Sequence, residues 1–256
     1  MTSQRLIPVN ASFAGRRWPR FTTYRFARRL LGSPIGLSEI SLVASYAPFV
    51  FKRIAGRVTP YMLFSLDGGR NVFVDERGRW RGPYVPAALR SYPFAMTEDP
   101  KEDDLLVDEQ SAIAPPDARD VSVPYYDVTG EMSEETRKVR RFLLERKADM
   151  QRTRRVVDMI VDSGLLIPFK YEKLTRSDRS QIFILNQKLL AVSPRRYLPH
   201  LPADTTLQAL VHAHAISLIQ IGRLQALHVA QQRPPDPSTT ALDGFLEALQ
   251  EAQWRD

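Results

Sequence analysis

Apolar residues fall first into short β-branched and aromatic runs, then into longer stretches at helical spacing. Residues 40–54 form a strand-like run centred on Phe49, Val50 and Phe51. Tyr61–Leu66 is a second run, closed by Asp67-Gly68-Gly69, and Asn71–Glu76 is a third, closed by Arg77-Gly78. Runs of this kind, punctuated by Gly and Asp, predict antiparallel strands. Leu105–Val107, Val121–Tyr126 and Gln181–Leu185 are further predicted strands. Between them Pro86 opens a short helix through Leu89, and Pro93 stops it.

Helical periodicity begins near Ser133. Ser133 can cap a helix whose first turn carries Glu134 and Glu135, the charge that suits a helix N-terminus. Val139, Phe142, Leu143, Met150, Val157, Ile160 and Val161 follow the helical period, and Gly164 terminates it. A second long helix is predicted from Asp204 to about Val229, weakened locally by Gly222. Strands followed by helices, rather than strict alternation, predict an α+β fold, with mainly antiparallel strands in the N-terminal half packed against two long C-terminal helices.

The charge distribution divides the chain. The first 38 residues hold seven arginines (Arg5, Arg16, Arg17, Arg20, Arg25, Arg28 and Arg29) and no acid, and the rest of the chain balances, so the net charge of +7 belongs to this stretch. Gly32-Ser33-Pro34-Ile35-Gly36 reads as a flexible joint after it. The expected organisation is a cationic, flexible arm over 1–37 and one α+β domain over 38–231. A proline-rich linker with a short amphipathic helix (Leu242, Phe245, Leu246, Leu249) follows over 232–256. Arg16, Arg17, Arg20, Arg25, Arg28 and Arg29, interleaved with Phe13, Trp18, Phe21, Tyr24 and Phe26, are candidate contacts for nucleic acid or an anionic membrane. The alternative is a solvated extension that docks its aromatics on the body.

Chemistry narrows the functions less. There is no cysteine, and so no disulfide, thiol nucleophile or thiolate metal site. No phosphate loop, nucleophile elbow or HExxH zinc signature occurs, so no catalytic residue, metal or cofactor is predicted. His212 and His214 lie two apart on a predicted helix and point away from each other, which predicts one packed and one exposed rather than a shared metal. Asp67, Asp75, Glu76, Asp127 and Glu131 sit at predicted turns, where turn stabilisation is their expected role. Arg137, Arg140, Arg141, Arg152, Arg154 and Arg155 make the first long helix basic, with acids between them. No apolar window is long enough to span a bilayer, and no secretion signal opens the chain, which predicts a cytoplasmic protein with surface export only by a non-classical route.

Trp80, Tyr84, Tyr92 and Phe94, with Arg90 among them, form the densest aromatic group and the candidate contact region for a protein or peptide. The same stretch, Asn71-Val72-Phe73-Val74-Asp75 with Gly78-Arg79-Trp80-Arg81-Gly82-Pro83-Tyr84-Val85-Pro86 and Leu89-Arg90-Ser91-Tyr92-Pro93-Phe94, resembles the bacterial SapC-like family. Tyr46-Ala47-Pro48-Phe49-Val50, Gly164-Leu165-Leu166-Ile167-Pro168 and Ile221-Gly222-Arg223-Leu224 extend the resemblance over roughly residues 40–230. The resemblance implies a link to bacterial surface-layer proteins and brings no catalytic residues. Three function classes follow. The first is a non-catalytic binding or accessory protein in cell-surface assembly or surface-protein modification. The second is an enzyme or enzyme partner acting on peptides or small aromatics, in which Asp75, Arg79, Arg90 or His214 would converge. The third is anionic-surface binding through the arm.

Overall fold

The structure, a computed structural model, describes residues 5–66, 68–97, 99, 102–115, 122–171, 181–188 and 205–232. Asp67, the start of the predicted strand at Val121, Asp204 and the predicted C-terminal linker and helix lie outside these residues. The fold is α+β, and every strand pairing is antiparallel. The strands are β1 (Leu6–Pro8), β2 (Arg17–Pro19), β3 (Gly32–Pro34), β4 (Phe49–Ile54), β5 (Arg57–Leu63), β6 (Phe94–Met96), β7 (Leu105–Asp108), β8 (Ser122–Pro124), β9 (Leu166–Pro168) and β10 (Ile182–Leu185). The helices are α1 (Leu37–Ala44), α2 (Ala87–Arg90), α3 (Glu134–Asp162), α4 (Thr205–Ile219) and α5 (Ile221–Gln232).

Three sheets result: β3-β5-β4-β10-β9, β1-β7-β6 and the ribbon β2-β8. The β4–β5 hairpin turns at Ala55-Gly56, both with positive φ (47° and 79°). That pair of torsions is what a two-residue turn needs to match strand twist. α3 and α4 pack on the five-stranded sheet and α1 packs against both helices, around Phe49, Phe51, Met62, Phe64, Val157 and Leu210. A second core gathers Phe13, Trp18, Phe94, Val107, Tyr125 and Leu143. α3, about 43 Å long at 1.5 Å per residue, belongs to both: Leu143 enters the second core, while Val156, Val157 and Ile160 enter the first. Its start agrees with the sequence, because Ser133 Oγ accepts from Thr136 N–H and Glu134 and Glu135 occupy the first turn.

Several elements differ from expectation. Residues 40–44 belong to α1, not to a strand. α1 forms because its first-turn donors are met from α3: Thr153 Oγ1 accepts Leu37 N–H at 2.9 Å, and Asp149 Oδ2 accepts Ser38 N–H at 3.2 Å. The carboxylate also suits the positive end of the α1 dipole. Asn71–Glu76 is a compact turn. Asn71 Oδ1 accepts Phe73 N–H at 2.9 Å and its side-chain amide donates to the Ala27 carbonyl, drawing the chain off an extended path. The helix expected over 204–229 divides at Gln220 into α4 and α5.

The stretch expected as a joint and an arm is built into the fold. Gly32 is part of β3, and a Cβ there would overlap the Tyr61 ring and the Met62 carbonyl, so glycine permits close strand approach rather than flexibility. Residues 5–37 supply β1, β2 and β3, and bury Phe13, Trp18 and Ala27.

Candidate functional site

Segment 80–94 is positioned from both ends. Val74 and Trp80 form an antiparallel bridge across the tight turn at Asp75. Asp75 Oδ1 accepts Arg79 N–H at 2.8 Å and Oδ2 accepts Arg79 Nε–H at 2.9 Å. Burial would raise this carboxyl, but the Arg79 hydrogen bonds and the charges of Arg79 and Arg81 outweigh it and hold the group below its ordinary value. Trp80 then stacks on Phe73, with centroids 5.3 Å apart, and donates its indole N–H to the Tyr84 carbonyl at 2.9 Å. The Tyr46 hydroxyl donates to the same carbonyl at 2.6 Å.

The centre of this region is a carboxylate that sequence reasoning passed over. Glu39, 4% exposed, lies on α1. Its Oε1 accepts the Tyr84 hydroxyl at 3.0 Å and Ala87 N–H at 2.7 Å, while Oε2 accepts Gly36 N–H at 3.0 Å. Arg90 donates to the Tyr84 hydroxyl at 2.9 Å, and its guanidinium lies over the rings of Tyr84 (5.3 Å) and Phe142 (5.0 Å). Burial and then the Glu39 charge push the Tyr84 phenol up to about 12, with Arg90 opposing. The half-buried Arg146 of α3 faces the charges of Glu39 and Asp149, and its Nε is buried without a hydrogen-bond partner. The local signal of Glu39 is only that of a helix cap, at the third position after Gly36, since Tyr84 and Ala87 lie 45 and 48 residues away in sequence.

Tyr92 faces another way. Its ring stacks on Phe26, with centroids 3.9 Å apart and an interplanar angle of 16°, and meets Phe21 edge-on at 4.7 Å. Its hydroxyl donates to the buried Asp108 Oδ2 at 3.1 Å and shares a hydrogen with Ser111 Oγ at 2.7 Å. Tyr24 links Phe26 to Trp80, with centroids at 6.1 and 5.9 Å. Phe21, Phe26, Tyr92, Tyr24 and Trp80 thus form a continuous aromatic run drawn from two stretches of chain. Phe21 is 41% exposed, and the other four are half-buried. Phe94, expected as a contact residue, is instead core: it is 4% exposed and meets Trp18 edge-on at 5.1 Å, because Pro93 turns the chain into β6.

Most of the N-terminal arginines are engaged within the protein. Arg17 donates to Ser122 Oγ at 2.9 Å and to the Ser122 carbonyl. Arg28 donates to the carbonyls of Asp75 and Glu76, and Arg25 to that of Arg77 at 3.4 Å. Arg20 pairs with Glu135 at 3.4 Å, and Arg16 lies over the Phe13 ring. Arg29 is exposed. Arg17 thus holds the backbone at Ser122, while Arg25 and Arg28 hold that of the turn at 75–77.

The remaining candidates separate. His212 is exposed and His214 fully buried, between Phe49 and Phe51. Asp127 Oδ1 accepts from Thr129 N–H, Thr129 Oγ1–H and Glu131 N–H, a turn-stabilising role. Of the groups that an enzyme reading would bring together, Asp75 and Arg79 meet, but Arg90 belongs to the Tyr84 group and His214 to the core beneath α4. No cluster of metal-ligating side chains occurs among the described residues. No helix among them is long and apolar enough to cross a membrane.

The profile of one family, SapC, matches residues 10–224. The chain belongs to the SapC family. The match begins within the arginine-rich stretch, where the expected resemblance began only near residue 40. That agrees with Phe13 and Trp18 being buried in the second core of this SapC chain. No curated protein and no solved structure matches the chain.

Proposed function

We propose that this SapC-family chain is a non-catalytic binding or accessory protein that recognises a protein or peptide during bacterial cell-surface assembly or surface-protein modification. The observation that carries the reading is the aromatic run in the contact order Phe21, Tyr92, Phe26, Tyr24, Trp80. Large rings left partly open and held rigid by stacking lose little conformational freedom on binding, which is the property of interface anchors. Tyr84 and Arg90 form a separate group in the same segment: Arg90 lies over two rings, with its charge open to solvent for a partner's carboxylate or carbonyl. The link to bacterial surface-layer proteins that the family resemblance implies supports the cell-surface setting, and the partner is met in the cytoplasm or after non-classical export.

Site-specific photo-crosslinking in the native cell tests this. A photoreactive phenylalanine analogue at Phe21 should trap a surface protein, and the same analogue at exposed Val128, outside the aromatic run, should not. Equal trapping at both positions, or none at either, would remove the aromatic face from the reading.

A further inference from the structure

We propose that the solvent face of the first three turns of α3 is a second docking site, for an acidic protein segment. A shallow cavity of about 360 Å³ lies there, lined by Glu134, Arg137, Lys138, Arg140, Arg141 and Leu144. Four cations therefore meet one carboxylate. Lys138 is neutralised by Glu134 at 3.0 Å and Glu135 at 3.1 Å. Arg137 reaches Glu131 only at 3.7 Å, between exposed side chains, which is a weak pairing. Arg140 donates to the Asp103 carbonyl, which leaves its charge uncompensated. Arg141 is exposed, with no ion pair or hydrogen bond among the described residues. Arg137, Arg140 and Arg141 thus stand together on one helix face with weak or absent ion pairing.

The chemistry favours an acidic protein segment over a nucleic acid. Arginine forks bind carboxylates in pairs of parallel hydrogen bonds, and Leu144 gives the groove an apolar floor for an aliphatic side chain. A phosphate backbone continuing along α3 would meet Glu134 on one side and exposed Glu145 one turn beyond Arg141. No aromatic lines the cavity to stack a base. A second copy of the chain is opposed by the net charge of +7. The lining shares no residue with the aromatic run, so the two sites are testable by separate variants.

Fluorescence anisotropy with the full chain decides it. The probe is a short fluorescein-labelled peptide of glutamates with interspersed leucines, measured at low and raised salt. The peptide should bind the unmodified protein, and Arg137→Glu with Arg141→Glu should weaken binding about tenfold. Arg16→Glu with Arg29→Glu makes the same change in net charge elsewhere and should leave binding unaltered. Arg141→Gln alone, which removes only the unpaired cation, should weaken it about threefold. Absence of binding, equal weakening by both double variants, or tighter binding of duplex DNA or phosphatidylglycerol vesicles through Arg137 and Arg141 would overturn the proposal.

Discussion

The Tyr84 hydroxyl donates to the buried Glu39 carboxylate across 3.0 Å, tying segment 80–94 to the first turn of α1. Glu39 also accepts the Ala87 and Gly36 amides, so one side chain fixes both the approach to α2 and the entry to α1. Glu39→Ala strands three donors in a buried place. The expected loss is about 3 kcal/mol, or roughly 6–12 °C in Tm for a chain of this size. Glu39→Gln keeps one oxygen acceptor and loses less. Thermal unfolding followed by circular dichroism checks the order.

Gly32→Ala should destabilise by about 1–3 kcal/mol, because the new Cβ overlaps the Tyr61 ring and the Met62 carbonyl. Adding Tyr61→Ala relieves the ring overlap but not the backbone one, so the two changes should be less than additive without rescue. Gly15→Ala meets no atom within 4 Å and strains only a positive φ of 73°, for about 1 kcal/mol. Urea midpoints of these three variants and of Tyr61→Ala alone separate the two causes.

His214 makes stability depend on pH. Both ring nitrogens are buried without a partner, and burial lowers the pKa from 6.5 to about 4. The unfolded chain takes up a proton near pH 6.5, which the folded protein accepts only near pH 4. This contribution is complete above pH 6.5 and is lost as pH falls toward 4, by up to about 3 kcal/mol. His214→Leu should flatten that part of the pH profile in urea unfolding, leaving the share due to carboxylates such as Asp75. An unchanged slope would place the acid sensitivity elsewhere.

Legibility in the sequence followed the length of each signal. α3 is legible because its cap, first-turn acids, periodicity and terminal glycine agree over many turns. β1, β2, β3, β6 and β9 are three residues each, too short for a period-two pattern, and are set by pairing with distant strands. α1 reads as strand because Ile40, Leu42 and Val43 are apolar on both sides, while its Leu37 and Ser38 amides are met by Thr153 and Asp149 on a distant helix. Trp80, Tyr84, Arg90 and Tyr92 were legible as a dense aromatic and basic group, but the sequence could not divide them. Trp80 and Tyr92 join Phe21, Tyr24 and Phe26, whereas Tyr84 and Arg90 turn to Glu39 and Phe142. Charge counting finds the arginines of the N-terminal stretch but cannot see that Arg17, Arg25 and Arg28 hold backbone carbonyls.

Trp18 bears on the role of the N-terminal stretch. Its ring is buried, edge-on to Phe94 at 5.1 Å, and its indole N–H donates to Thr136 Oγ1 at 3.2 Å, which binds β2 to the first turn of α3. Trp18→Ala opens a cavity between these elements and should cost about 3–5 kcal/mol. Trp18→Phe keeps most of the packing, and Thr136 Oγ1 still accepts from Ser133 Oγ at 2.9 Å, so about 1 kcal/mol is expected. Removal of residues 1–37 goes further: it uncovers Phe94, Val107, Tyr125 and Leu143 and frees the β5 edge that β3 pairs. The truncated chain should bind a hydrophobic dye and lose near-ultraviolet dichroism, the signs of lost packing. A truncated chain that unfolds cooperatively with a native near-ultraviolet spectrum would instead make this stretch an appendage. Loss of partner binding on truncation therefore reports on the fold, and only point variants such as Arg16→Glu and Arg29→Glu can test the arginines themselves.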